Sequence, residues 1–404
     1  MNTQRLEHIK ALFAREGYHA LLCRIPQHVL LFTGYQPILG SSFCLISQNT
    51  AKEIEIRLAV PVDEKDLVPS GVAVEVKTFA EETMDYISNT LDAAREVLGE
   101  LMRSAGLGGG AIVGIEGGRT LIVPAYTQVG VTGPETHQLL HMLLLGGEFR
   151  DATSLLEELS AIKTEEELAA IRRCEAVACQ GFAAAREAVY SGATEADVAA
   201  ATYAALLCAG YAAPGTHHVQ PHVHVMAGPR AALAYRAFNL TSNASIRPGD
   251  TVTVQMEIGV NGYWAELTRT FFVETINEEW RRAYQACVAA QDAALKLIRD
   301  GVNAQSVDRA ARQVMERAGF GAAFKHGLGH GFGFQAINHG AAPVLHPASH
   351  AVLRTGMIHN MEPAVYLDGK GGFRMNDNVA VHQDGNEVLS SALSRDVEWL
   401  VVKK

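Results

Sequence analysis

Residues 249–273 read GDTVTVQMEIGVNGYWAELTRTFFV. Side chains alternate in character on both sides of Asn261-Gly262, as they do in strands that bury one face. An Asn-Gly pair between two such runs supplies the backbone angles of a tight hairpin turn. The stretch therefore predicts a β-hairpin. Gln255 and Glu257, two residues apart, share one face of its first arm, and Glu266 stands on the second arm.

The hairpin belongs to a pattern that occurs twice. Residues 192–198 (GATEADV) align with 301–307 (GVNAQSV) at a shift of 109, which also pairs Gly210-Tyr211 with Gly319-Phe320 and His217 with His326. Further on, 247–249 pairs with 354–356 at a shift of 107, and Gly262-Tyr263 with Gly372-Phe373 at 110. Each half reads helix, helix, then antiparallel strands. Two copies are too few for a solenoid. They predict two related halves around a pseudo-twofold axis, with a site where their sheets meet. Gln255 then superposes on Glu362, and Glu266 on Asn376, so each half holds one acid and one amide. Three segments surround these positions: HGLGHGFGF (326–334), whose glycines allow close backbone approach beside an imidazole, GMIHNMEPAVY (356–366) and GGFRMND (371–377).

Outward from this core, helical periodicity places Leu6, Ile9, Leu12 and Phe13 on one face of 4–17. Short apolar runs follow at 20–23, 42–46, 56–60, 72–79 and 111–115, with a helical pattern over 81–104. That alternation predicts an α/β domain over 1–155, with the catalytic domain over 156–404. The triple glycine 108–110 reads as a loop, because neither a lysine nor GxGxxG spacing accompanies it. Alanine-rich helices are expected over 165–190 and 277–298, and Thr194 with Asp197 has the spacing of a helix cap.

Composition narrows the function classes. With 48% hydrophobic and 19% charged residues the chain can bury a large core. A net charge of −10 argues against a phosphate-binding surface, and so against nucleic acid. The six cysteines form no Cys-x-x-Cys pair, and Cys174, Cys179 and Cys208 fall in helical stretches as small buried thiols. No run of about 18 apolar residues predicts a membrane span. The opening helix lacks the apolar core of a signal peptide, and a reducing, cytoplasmic location is expected.

Gly-His-Gly-x-Gly at 329–333, Met-Glu-Pro at 361–363 and Gly-Tyr-x-x-acid-Leu-Thr-Arg-Thr at 262–270, present together, resemble the pita-bread peptidase family. Its members include methionine aminopeptidase, aminopeptidase P, prolidase and creatinase. The resemblance covers 164–402 and implies a pita-bread catalytic domain behind a smaller α/β domain, acting as a homodimer. Metallopeptidases of this family hold two divalent ions with two aspartates, a histidine and two glutamates. Carried over, those positions fall on Gln255, Glu266, His330, Glu362 and Asn376. Only Glu266, His330 and Glu362 keep ligand-capable side chains.

Two carboxylates facing two divalent ions leave their mutual repulsion uncompensated. The expectation is therefore no ordinary two-metal site and no required cofactor. Two chemistries stay open: a metal-free, creatinase-like site with His330 carrying the proton, or one divalent ion held by Glu266, His330 and Glu362. The reading that follows is a hydrolase cleaving a C–N bond of a small molecule. The alternatives are an Xaa-Pro dipeptidase or aminopeptidase P-like metallopeptidase, and a non-catalytic binding protein. Thr268 and Tyr235 stand where creatinase has a glutamate and a histidine, which points to a different substrate. Candidate substrate contacts are Tyr235, His339, His222, His224, Arg374, Gln255 and Asn376. His326 and His359 are supporting groups, and Arg269 and Asp377 structural ones. No membrane or nucleic-acid partner is expected.

Overall fold

A computed structural model describes residues 3–117, 133–236, 241–336 and 341–403. They divide into two compact units after Ser160.

The first unit begins with α1 (Thr3–Glu16), β1 (Ala20–Cys23) and α2 (Pro26–Thr33). It continues through β2 (Phe43–Gln48), β3 (Ile54–Pro61), β4 (Glu75–Phe79) and α3 (Thr90–Ser104) to β5 (Ile112–Ile115), α4 (Pro134–Leu143), β6 (Glu148–Asp151) and α5 (Thr153–Ala161). The six strands form one sheet in the order β4-β3-β2-β1-β5-β6. β2 runs antiparallel to both neighbours, and the other pairings are parallel. Leu22, Leu45 and Val113 from the strands pack with Leu98 and Leu101 of α3 and Leu140 of α4. The helical pattern over 81–104 yields a shorter helix than expected. The Asn89 side chain accepts the Asp92 N–H and caps α3 there, leaving the preceding residues to a turn closed by the Glu82–Ile87 bridge.

The second unit builds its chemistry from two successive helix-helix-strand halves. The first half is α6 (Glu165–Ala188), α7 (Glu195–Ala212), β7 (Val219–Ala227), β8 (Thr251–Val260) and β9 (Tyr263–Val273). The second is α8 (Glu278–Leu295), α9 (Ala304–Arg317), β10 (Gly329–Gly331), β11 (Ile358–Met361), β12 (Ala364–Leu367), β13 (Gly371–Arg374), β14 (Asp377–Val381) and β15 (Asn386–Val388), after which β16 (Val401–Val402) closes the chain. This is the pita-bread architecture. Capping boxes at Thr164/Glu167 and Thr194/Asp197 start α6 and α7. The hairpin turn forms as the Asn-Gly pair predicts, with φ of +51° at Asn261 and +84° at Gly262.

The sheets are β16-β9-β8-β7 and β10-β11-β14-β15, with β12 and β13 as a separate pair. An isolated bridge between Thr268 and Asn376 joins β9 to the second half, and the backbone N–H of Asn376 donates to Thr268 O at 3.1 Å. Phe182, Met256, Leu267, Phe272 and Ile358 lie in one continuous apolar core beneath both halves. Cys174 is buried, but Cys208 is exposed. α7 buries Val198, Thr202, Leu206 and Gly210, a four-residue spacing that leaves position 208 on the opposite face. Among the described residues, no helix is long and apolar enough to cross a membrane.

Candidate active site

Residues paired across an antiparallel ladder point to the same side of the sheet. The register of β7, β8 and β9 sets His222, Glu257 and Glu266 in one row, and His224, Gln255 and Thr268 in the next. One face therefore carries six polar groups. The other turns Met256 and Leu267 into the core.

The second half brings His330 on β10, Glu362 just after β11, and Arg374 at the end of β13. Two glycines let His330 come this close. A Cβ on Gly329 would stand 1.8 Å from Asn360 O, and one on Gly331 would stand 2.3 Å from Ala342 O. His330 Nδ1 donates to Gly331 O at 2.9 Å, an anchor that turns Nε2 toward the carboxylates. Nε2 lies 3.9 Å from Glu266 Oε2 and 3.9 Å from Glu362 Oε1. The three residues expected at the centre are thus together, contributed by both halves.

Around them runs a buried polar network. Arg374 donates to Gln255 Oε1 and, at 3.1 Å, to Ala234 O, and its Nη1 lies 3.6 Å from Glu362 Oε2. Gln255 Nε2 donates to Glu257 Oε1 at 2.6 Å and to Glu266 Oε1 at 3.4 Å. His224 Nε2 is 3.4 Å from Glu257 Oε2. Burial pushes the Glu266 carboxyl well above its ordinary range, and the nearby Glu257 and Glu362 add to the shift while Arg374 opposes it. His359, opposite Gly331 on β11, is held neutral: burial, Lys163 and His330 lower it to about 3.

Glu257 is the residue that sequence reasoning undervalued. Sequence spacing puts it on the face of Gln255, and the observed pairing sets it across from Glu266. Asn376 is fully buried near the same centre, and neither atom of its amide makes a hydrogen bond. Tyr235 packs with Met226, Ala231, Ala234, Ala364 and Tyr366, and Lys325 Nζ stands 4.8 Å above its ring. His326 shares a hydrogen bond of 3.1 Å with the Tyr366 hydroxyl. Arg269 pairs with Asp377 at 2.7 Å, fully buried, and Arg230 holds Glu195. His339 lies outside the described residues.

Two halves meeting over His330 and two glutamates, with this fold beneath them, agree with what the sequence matches: the chain belongs to metallopeptidase family M24, whose model aligns with residues 169–383. It is a hydrolase. It is similar to the Xaa-Pro dipeptidase of Pyrococcus furiosus, 29% identical over 243 residues, covering 60% of this chain and 67% of that one. The "Probable dipeptidase PepE" of Mycobacterium tuberculosis is 34% identical over 265 residues, covering 65% and 67%. The X-Pro aminopeptidase structure from Thermotoga maritima superposes with a TM-score of 0.77 over 96% of this chain and 98% of that one, at 20% identity. That last likeness is one of fold.

Membership of a metallopeptidase family overturns the expectation that no cofactor is required. The donor chemistry is compatible with an ion. Glu266 Oε2 is buried without a hydrogen bond and faces His330 Nε2, and imidazole and carboxylate are ordinary ligands for divalent metals. A carboxylate count of two also understated the charge present, because Glu257 makes it three. Among the described residues no three such side chains converge as closely as a filled site requires, so Glu266, His330 and Glu362 would have to draw inward for an ion to be held between them.

Proposed function

We propose that this chain is a metal-dependent hydrolase of short peptides, acting on Xaa-Pro-type C–N bonds, with one divalent ion held by Glu266, His330 and Glu362. The observation that carries this reading is the convergence of those three side chains from the two halves. The relatives' names, dipeptidases in both cases, favour peptide cleavage over the creatinase-like reading.

Charge supports a single ion. Three glutamates bring −3 and Arg374 brings +1, leaving −2, which one divalent ion neutralises; two would leave an excess of +2 in a buried site. Bound there, a divalent ion supplies Lewis-acid polarisation of a carbonyl. The protein's own groups do the rest. Arg374 fixes Glu362 and Gln255 in place. Gln255 keeps Glu257 and Glu266 apart with its amide donor. His330, anchored through Nδ1, would present Nε2 to the ion. A homodimer working in the cytoplasm is part of the same reading.

The test is proline release from Xaa-Pro dipeptides by the purified chain, before chelation, after it, and after a divalent ion is restored. One ion per chain by elemental analysis, with activity lost on chelation and recovered on reloading, is the expected result. Full activity in excess chelator, or two tightly held ions per chain, refutes the reading. Should His330→Ala and Glu362→Ala leave every measurable activity intact, a binding role replaces it.

A further inference from the structure

α7 carries apolar side chains around its whole circumference, although only one face of it is buried. Between Asp197 and His217 the chain holds no Asp, Glu, Lys, Arg or His. A helix apolar on all sides belongs in an interior. Yet Ala200, Ala204 and Cys208 are exposed, and so are Tyr203 and Tyr211, by 44% and 55%.

The internal repeat supplies a control. At the shift of 109, α9 is the counterpart of α7, and it buries Val307 where α7 buries Val198. Its outer residues are of the ordinary surface kind. Arg309, Gln313, Glu316 and Arg317, all exposed, hold the places of Ala200, Ala204, Leu207 and Cys208. Of two helices in matching positions, one is dressed for water and the other for protein.

The outer face of α7 is also its own complement. Helical spacing sets Asp197, Ala200, Ala204, Cys208 and Tyr211 along one stripe, with Ala204 at the middle. Two copies of α7 packed antiparallel about a twofold axis at Ala204 bring Ala200 against Cys208 and Asp197 against Tyr211, each pair made twice. Alanine at the axis permits close approach, and the tyrosine hydroxyl can donate to the carboxylate. The antiparallel order sets the positive N-terminal end of each helix beside the negative C-terminal end of the other. A lipid surface fits less well, because interfacial helices carry lysine and arginine on their polar side and α7 has neither.

We propose that the outer face of α7 is a self-association surface, on which a second copy of this chain docks antiparallel about Ala204. The proposal gives a seam to the homodimer of the functional reading and takes nothing from its chemistry.

Cysteine cross-linking and sedimentation of the full chain test it. With Cys208→Ser removing the exposed thiol, Ala204→Cys should form a disulfide between chains under mild oxidation. It should do so about tenfold or more faster than Gln313→Cys, at the matching place on α9. Ala200→Arg with Cys208→Arg sets like charges against each other and should weaken association about a hundredfold or more. Ala200→Glu with Cys208→Arg pairs opposite charges at the same places and restores it, which separates loss of the surface from loss of the fold. Equal linking rates at 204 and 313 overturn the proposal, and so does a wild type that stays monomeric. An assembly whose mass the two arginines leave unchanged overturns it too, because the homodimer then has its seam elsewhere. None of these positions belongs to the proposed ion site, so missing proline release with linking at 204 counts against the hydrolase reading alone.

Discussion

Glu257 stands directly across the β8–β9 ladder from Glu266, and the Gln255 amide donates to both carboxylates. A neutral donor thus sits between two acids that burial has brought together. Replacing it with a third acid reverses its role. In Gln255→Asp the ion-free protein should lose roughly 1–3 kcal/mol of stability through like-charge repulsion and the missing donor. Added divalent ion should raise its Tm by more than it raises that of the wild type. Thermal melts with and without metal check both outcomes.

The approach of β10 to β11 depends on the absence of a side chain at position 329, where a Cβ would meet the Asn360 carbonyl at 1.8 Å. Gly329→Ala must push the strands apart and carry His330 with them. Activity should fall at least about a hundredfold, since a displacement near 1 Å suffices for such a loss, with far-UV circular dichroism unchanged.

Arg269 is wholly buried and donates to Asp377 Oδ1 at 2.7 Å and to the carbonyls of Asn376 and Ser394. Arg269→Leu leaves the Asp377 charge without its cation and should cost about 3–5 kcal/mol. Denaturant melts measure this, and loss of activity should follow loss of folded protein.

Glu175, on α6 beneath the site, is pushed up to about 8 by burial, with the Asp377 charge adding to the shift and its bond from Asn378 opposing it. The folded state keeps this proton where the unfolded chain, titrating near 4.5, has released it. The stability it lends is complete below about pH 4.5 and disappears as pH rises through 8. Glu175→Gln keeps an oxygen for Asn378 and removes the titration. Relative to wild type, it should gain roughly 2–4 kcal/mol between pH 5 and pH 9. Identical stability profiles for the two proteins would refute this.

At the centre, His330→Ala and Glu362→Gln should each lower kcat by about a hundredfold to ten-thousandfold, with Tm little changed for Glu362→Gln. Steady-state kinetics on Xaa-Pro dipeptides decide the matter.

Much of this was legible in the residues. The hairpin followed from period-two alternation around Asn261-Gly262, and the two halves followed from an internal repeat. The convergence of Glu266, His330 and Glu362 followed from motif positions. The place of Glu257 was legible only in part: the two-residue turn at Asn261-Gly262 sets it across from Glu266, but not the Gln255 donor shared between the two carboxylates. Position 255 drew attention as the carried-over ligand, while the buried charge sat two residues away. Tyr235 was equally opaque: its place against Tyr366 is set by a contact more than a hundred residues distant. Helix ends misled where a side-chain cap, Asn89, competed with continued periodicity. Cofactor dependence came out wrong because the amides at positions 255 and 376 were weighed above the metallopeptidase motifs around them.

The bridge from Thr268 to Asn376 stitches one half of the second unit to the other, and it joins strands far apart along the chain. Helices form from neighbours and form early, whereas such distant pairings are slow to close. During renaturation, helical signal should therefore return well before catalysis does. The interval between them reports the docking of one half on the other.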